Sequence, residues 1–359
     1  MTAQVSTLAQ DVTIDDLTID SFRPEDAPLL AECFGRVYGP DYPDPRVYQA
    51  EYFLRGNADG SVVSAVARTP DGMPIGHCAA ARTAPYPGVV ELCQGVMLPE
   101  HRRGGAAAAM IDALIERVAE DPSCEVLYGR PVCNQPAFQK VLAKRDFVDT
   151  GLELDLCRPA AFARERLGSG RVSTLLQFRS QRPVDRALYL PEAFGLVMLT
   201  IQRALGEERR VEPSTKAVST RRPGDVRLEH KEVMDLSRLV VRRAGRDLCE
   251  ALDAVEESGR RGDIRIAHAV LSLGDPAVGE AVAKLRRRGF FFGAFLPRWL
   301  DEDAVLLQRV YGEPNFGELR IHGRSAEDLV SIVRLDHALA ARRQSRARGS
   351  AAAKPASAA

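Results

Sequence analysis

Apolar and polar residues alternate with periods that change several times along the chain, and each change marks an element. Ile19 to Phe22 reads as a short strand, and Pro24 to Val37, opened by Pro-Glu-Asp, reads as a helix. Three strands follow, Ser61 to Arg68, Pro74 to Arg82 and Val89 to Leu98. Asp71-Gly72 separates the first two, and Pro85 to Gly88 separates the second from the third. From Gly105 to Ala119 the apolar residues Met110, Ile111, Leu114, Ile115 and Val118 fall at helical spacing, so one face of that helix must be buried. Val126 to Tyr128 is a further strand, Gln135 to Arg145 a helix whose face is Phe138, Val141 and Leu142, and Phe147 to Cys157 a strand. The first module closes near Phe162.

A second module starts near Val172. Its pattern predicts a helix over Pro191 to Leu205, strands around Val211 to Ser219 and Val226 to Met234, and a helix over Ala244 to Glu257. A strand at Ile264 to Val270, a helix at Pro276 to Arg288 and strands at Phe290 to Leu296 and Ala304 to Val310 complete it. This closing order of helix, strand, helix, strand, strand repeats that of the first module, with Arg288-Gly289-Phe290 standing where Arg145-Asp146-Phe147 stands. An internal duplication is the reading, with domains at 11–163 and 172–341, in keeping with a 359-residue chain. Residues 1–10 are small and polar, and 342–359 combine basic residues with Ala, Ser and Pro; both ends are expected to be disordered.

The composition, 45% hydrophobic and 27% charged, is that of a globular protein. Lys and Arg together number 49, as do Asp and Glu, so no excess charge draws the molecule to nucleic acid or to an anionic membrane. The seven cysteines are scattered without a CxxC pair, which argues against a disulfide framework and a zinc knuckle. The six histidines form no HExxH pair, so no metal is expected. No basic flank leads into an apolar run at the N-terminus, and no stretch of about 18 apolar residues occurs anywhere. A cytoplasmic location is the expectation.

The segment Val96-Met97-Leu98-Pro99-Glu100-His101-Arg102-Arg103-Gly104-Gly105-Ala106-Ala107 is a strand that ends in proline and passes through a glycine-rich turn into a helix. A helix N-terminus offers unpaired N–H groups and the positive end of a dipole, and small residues let a diphosphate approach the backbone. This resembles motif A of the GNAT superfamily of acyltransferases, Gln/Arg-x-x-Gly-x-Gly/Ala, matched by Arg102, Gly105 and Ala107. Asn134 to Lys140 followed by Lys144-Arg145-Asp146-Phe147 is similar to the family's motif B, with Asp146 where Gly is usual. The resemblance covers Asp11 to Ala163. It implies an α/β fold with a mixed, mostly antiparallel sheet flanked by helices, splayed between its fourth and fifth strands, with acetyl-CoA or another acyl-CoA in the gap. Val96, Met97 and Leu98 would bond the pantetheine and Arg102, Arg103, Gly104, Gly105, Ala106 and Ala107 the pyrophosphate, with Asn134 a further cofactor residue. The second module resembles a GNAT half-fold, but Arg242 to Asp247 lacks the motif, so it is read as degenerate and non-binding.

Acyl transfer from a thioester needs a base for the incoming ammonium and an acid for the departing thiolate. Glu91 interrupts an otherwise apolar fourth strand and is the candidate base; the competing reading is a solvent-facing strand residue. Strand alternation places Gln94 on the face opposite Glu91. The resemblance puts an acid Tyr where Leu142 stands, so Tyr128 is the remaining candidate, against a reading as a core residue. Cys93 and Cys133 lack His and Asp companions and read as inert. The expected activity is acyl-CoA-dependent N-acylation of a small-molecule amine by direct attack; the alternative is an acyl-CoA sensor without turnover. Acceptor choice is expected from Arg36 to Leu54, where Tyr38, Tyr42, Tyr48 and Tyr52 form an aromatic surface.

Overall fold

A computed structural model of the chain describes residues 16–102, 104–165, 170–182, 186–207 and 209–352. These divide into two compact units, the first drawn from residues 1–83, 90–124 and 160–166 and the second from 84–89, 125–159 and 167–359.

The first unit carries β1 (Thr18–Ser21), α1 (Ala27–Tyr38), α2 (Ala50–Asp59), β2 (Val62–Arg68), β3 (Pro74–Ala81), all but the first residue of β4 (Val89–Met97), and α3 (Ala106–Ala119). Its strands form an antiparallel sheet in the order β1-β2-β3-β4. β2 and β3 pair from Val62↔Ala81 to Arg68↔Pro74, and nearly every residue of both is buried. α3 packs on β1, β2 and β3 through Met110, Ile111, Leu114 and Val118, the face its spacing predicts. α2 was not foreseen, because its Tyr52, Phe53 and Gly56 make only a short apolar stripe. It stops at Gly60, in the left-handed conformation that closes a helix. The Arg68 guanidinium pairs with Asp26 where both side chains are 2% exposed, which fixes the start of α1 to the end of β2.

The second unit carries β5 (Val126–Gly129), α4 (Ala137–Ala143), β6 (Val148–Cys157), β7 (Val172–Ser180), β8 (Leu188–Leu190), α5 (Gly195–Ala204), β9 (Val211–Pro213), β10 (Asp225–Lys231), β11 (Leu236–Arg243), α6 (Leu248–Arg261), β12 (Ile266–Ser272), α7 (Val278–Arg287), β13 (Phe291–Leu300), β14 (Glu302–Val310) and α8 (Arg324–Ala352). Its main sheet has the order β5-β7-β6-β13-β14-β12-β11-β10, and β8 and β9 form a separate parallel pair. The mixed, mostly antiparallel sheet flanked by helices is the fold class that the sequence implied.

Two strand triplets share one arrangement. β7 lies between β5 and β6, antiparallel to both, and β14 lies between β12 and β13 in the same way. Asp146 and Gly289, which precede β6 and β13, both have positive φ, and nine residues after each stands another positive-φ residue, Asp155 and Arg298. The triplets meet where β6 pairs with β13 at Gly151↔Ala294. A Cβ on Gly151 would lie 2.0 Å from that of Ala294, so only glycine permits the approach.

Several expectations need correction. β5, α4 and β6, which the sequence assigned to a first domain ending at 163, fall within the second compact unit, where β6 joins β13 and α8 packs on both strands. β7 and β11 were missed: β7 is buried along most of its length on both faces, with Ser173, Thr174 and Gln177 among its apolar residues, so no alternation marks it. The strand expected over 211–219 is confined to Val211–Pro213. The tail expected to be disordered from 342 is helical as far as Ala352, because α8 continues past its contacts with β13, β6 and α7. Residues 1–10 and 353–359 lie outside the described residues.

Candidate active site

In the first unit β4 runs into one turn of 3-10 helix at Pro99–His101 and then into α3. Leu98 donates its N–H to the Ile75 carbonyl at 3.0 Å and accepts from His101 at 2.9 Å. Its N–H is therefore committed to β3. Val96 and Met97 are buried, facing His77 and Gly76 across the sheet. Arg102 folds back so that its Nε donates to the Met97 carbonyl at 3.2 Å, which braces the turn. Arg103 lies outside the described residues. Gly104 and Gly105 have φ of 99° and 84°, values that cost a residue with a Cβ about 1–2 kcal/mol. This reversal lets Gly105 cap α3, accepting from Ala109 N–H at 3.0 Å. Gly104, Gly105 and Ala107 are exposed, whereas Ala106 is buried and anchors the helix. The sequence thus forms a solvent-open turn of small residues at the positive end of a helix.

The second feature is a bulge in β4. His77 pairs with Val96 and Ala79 with Cys93, so three steps of β4 oppose two of β3, and Gln94 takes φ of 53°. The extra residue cancels the alternation on which Gln94 was placed away from Glu91. Gln94 instead donates through its amide to the Tyr52 hydroxyl, with Asp44 3.4 Å away. Its carbonyl accepts from His77 Nδ1 at 3.1 Å, and His77 Nε2 lies 2.9 Å from Ser64 Oγ. Burial pushes His77 down to about 4, so the ring is neutral; the carbonyl partner fixes the Nδ1–H tautomer and leaves Nε2 to accept from Ser64.

Glu91 is 9% exposed and accepts from the Thr83 hydroxyl. It is therefore not a solvent-facing strand residue. Burial, the Tyr38 phenol, the Cys93 thiol and the Glu91 carboxylate together hold the Tyr42 phenol well above its ordinary range. The Tyr42 and Tyr38 rings meet at a tilt of 48° with centroids 4.8 Å apart, the Tyr38 hydroxyl donates to the Gly95 carbonyl at 2.9 Å, and the Tyr48 hydroxyl accepts from Tyr42 N–H at 2.9 Å. Glu91, Cys93 and Gln94 therefore share one neighbourhood with Tyr38, Tyr42 and Tyr52. Sequence reasoning placed these tyrosines in the acceptor region but did not connect them with Glu91; the signal, a bulge in β4, has no marker in the residue pattern.

In the second unit Tyr128 is fully buried. Its ring stacks on Phe178 at 5.1 Å and meets Trp299 edge-on at 5.3 Å, and its hydroxyl accepts from Arg130 at 3.2 Å. It is a core residue, and the role of acid assigned to it is withdrawn, since a phenol enclosed in this way is not presented to a thiolate. Asn134 is 9% exposed, and neither its amide nitrogen nor its oxygen has a hydrogen-bond partner. A buried amide left so is costly unless something absent here completes it. Cys133 is 1% exposed and burial pushes its thiol far up, so it is inert.

In the second unit β11 and β12 are parallel and in register at six consecutive positions from Leu236↔Ile266 to Val241↔Leu271. That continuous ladder leaves no gap for a ligand. Among the described residues no three His, Cys, Asp or Glu side chains converge as metal ligands, and no helix is long and apolar enough to cross a membrane.

Residues 27–147 match the model of the acetyltransferase (GNAT) family. That segment of the chain is therefore similar to a GNAT acetyltransferase domain. No curated protein matches it. Solved structures similar to it include a GNAT superfamily phosphinothricin acetyltransferase from Sinorhizobium meliloti in complex with AcCoA, 19% identical, with 46% of this chain and 88% of that chain covered and a TM-score of 0.38. Spermidine N-acetyltransferase from Vibrio cholerae, in complex with CoA and spermine, is 14% identical over 46% of this chain and 96% of that chain, TM-score 0.38. An N-acetyltransferase from Staphylococcus aureus Mu50 is 13% identical over 46% and 99%, TM-score 0.39.

Proposed function

We propose that the chain is an N-acyltransferase that moves an acyl group, most simply acetyl, from CoA to the amine of a small molecule by direct attack. The observation that carries this reading is the open Gly104-Gly105 turn at the positive end of α3, where backbone N–H groups can cradle a diphosphate. Arg102, Arg103, Ala106 and Ala107 complete that cradle in the proposal, with Val96 and Met97 toward the pantetheine. Asn134 is the cofactor residue of the second unit; its unsatisfied amide supports that role. Glu91 accepts the proton of the incoming ammonium, directly or through water, as its near-burial among apolar strand residues and phenols supports. The second domain binds no acyl-CoA, a reading supported by the closed β11–β12 ladder.

The test is a thiol-release assay with acetyl-CoA and a panel of small amines, run beside a thermal shift with acetyl-CoA alone. Release of CoA thiol that depends on the amine supports the enzyme. Thermal protection without release on any amine supports the acyl-CoA sensor, for which the withdrawal of Tyr128 as acid speaks. Neither response removes both readings.

A further inference from the structure

Helix α8 presents an apolar row that the second unit does not use. One side of the helix is taken: Ala326, Leu329, Val333 and Ala340 are buried, the Asp336 carboxylate accepts from Phe292 N–H at 2.8 Å, and the Gln344 amide donates to the Arg288 carbonyl at 3.1 Å. On the opposite side Ile332, Leu335 and Leu339 are 38%, 63% and 38% exposed. Steps of three and four residues put them in line along the helix. Nine large apolar side chains are exposed among the described residues, and three of them stand in this row. Scattered singly they would need no partner, but a row on a helix already docked by its other face marks a contact surface.

The charges at the ends of the row say what covers it. Asp328 precedes Ile332 by four residues and Arg342 follows Leu339 by three, which continues the heptad spacing in both directions. Glu327 stands next to Asp328 and Arg343 next to Arg342, and all four are exposed. Arg324 Nε is 4.0 Å from Asp328, so the N-terminal end of the row holds two carboxylates and one guanidinium and is net acidic. The C-terminal end holds the two guanidinium groups of Arg342 and Arg343. Such a row is complementary to itself reversed. Leu335 lies midway between Asp328 and Arg342, so a second copy turned end for end about Leu335 sets the acidic end of each helix against the basic end of the other. A parallel pair would set acid beside acid and arginine beside arginine, and an anionic lipid surface would meet the carboxylates.

We propose that α8 is the interface of an antiparallel homodimer, in which Ile332, Leu335 and Leu339 of two copies pack together and Glu327 and Asp328 of each face Arg342 and Arg343 of the other. The interface is isologous, so it closes at two copies. The apolar row supplies affinity and the end charges select the direction. One helix pair is small among specific interfaces, so the dimer forms and dissociates with concentration.

The full chain is followed by sedimentation velocity over a concentration series. Wild type is expected to pass from one copy to two as concentration rises. Leu335→Glu keeps helix propensity, is checked by circular dichroism, and is expected to lose affinity by ~10-fold or more. Asp328→Arg alone should weaken the dimer by setting like charges together, and Asp328→Arg combined with Arg342→Asp should restore it. Direction is read separately by oxidation on a Cys249→Ser background, which removes the exposed thiol. Leu335→Cys is expected to give a covalent dimer and Asp328→Cys none, because reversal holds the two copies of residue 328 about 20 Å apart along the axis. A wild type that stays monomeric at every concentration, a dimer that survives Leu335→Glu, or a covalent dimer through Asp328→Cys overturns the proposal. Should Leu335→Glu not fold, Leu335→Cys carries the test, its covalent dimer being the expected result and its absence the contrary one. No arm measures acyl transfer, so the outcome stands whether or not the proposed function does.

Discussion

Glu91→Gln keeps size and polarity while removing basicity, so it separates the proposed base from a structural strand residue. The expected result is a fall of about 100- to 10,000-fold in turnover with thermal protection by acetyl-CoA unchanged; near wild-type turnover would assign the proton to water or to another group. His77 makes a prediction about stability instead. Its folded pKa of about 4 lies below the ordinary 6.5, so between these values the unfolded chain takes up a proton that the native ring refuses. Stability is present above pH 6.5 and is lost as pH falls toward 4, by about 2 kcal/mol between pH 6.5 and 5 for this residue alone. Asp303, pushed up to about 6 by burial, works in the opposite sense, its stabilising proton being lost as pH rises through 6. Urea denaturation of wild type and His77→Gln at both pH values isolates the His77 share, because Asp303 is common to both. A variant that loses as much stability on acidification as the wild type would deny His77 its part.

At the scale of elements, Gly105→Glu is expected to abolish acetyl-CoA protection, which in the wild type amounts to about 2.7 kcal/mol at 100 times the dissociation constant. A carboxylate at the helix start repels the diphosphate, and the left-handed backbone, φ 84°, disfavours a side chain; retained protection would place the phosphates elsewhere. Asp146 and Gly289 offer a stability test of the repeat. Asp146→Gly relieves a φ of 61° and is expected to stabilise by about 1 kcal/mol in chemical denaturation. Gly289→Asp should destabilise by a similar amount, because the backbone there has φ of 85°, while the end of the Gln344 side chain that a Cβ would meet can move aside. The elements themselves were largely legible. The helix after the glycine turn and the paired closing strands follow from periods of 3.6 and 2, and the turn itself from its small residues. Three things were not: α2, whose apolar stripe is a single turn long; β7, which is buried on both faces and so has no period to read; and the bulge at Gln94, which comes from pairing with β3. The bulge decided the site, since it brought Gln94 to Tyr52, in the neighbourhood of Glu91, where simple alternation placed Gln94 and Glu91 on opposite faces.

At the scale of the whole molecule, the boundary near residue 163 was the least legible feature, because it depends on pairing between segments far apart in sequence. A fragment of residues 1–164 would end before β7, the strand that separates and pairs both β5 and β6. It is expected to be insoluble or unable to bind acetyl-CoA; a soluble, binding-competent fragment would show that β5 and β6 find other partners. The ladder between β11 and β12 has a consequence in time rather than in space. Its amides, Ser237 to Val241 and Ala267 to Leu271, are held on a central, buried pair of strands. They should exchange with deuterium only through opening of the entire second unit, whereas Gly104 to Ala107 exchange at the pace of a surface turn until a ligand covers them. The closed ladder of the second unit keeps slow time, and the small-residue turn at the start of α3 keeps fast time.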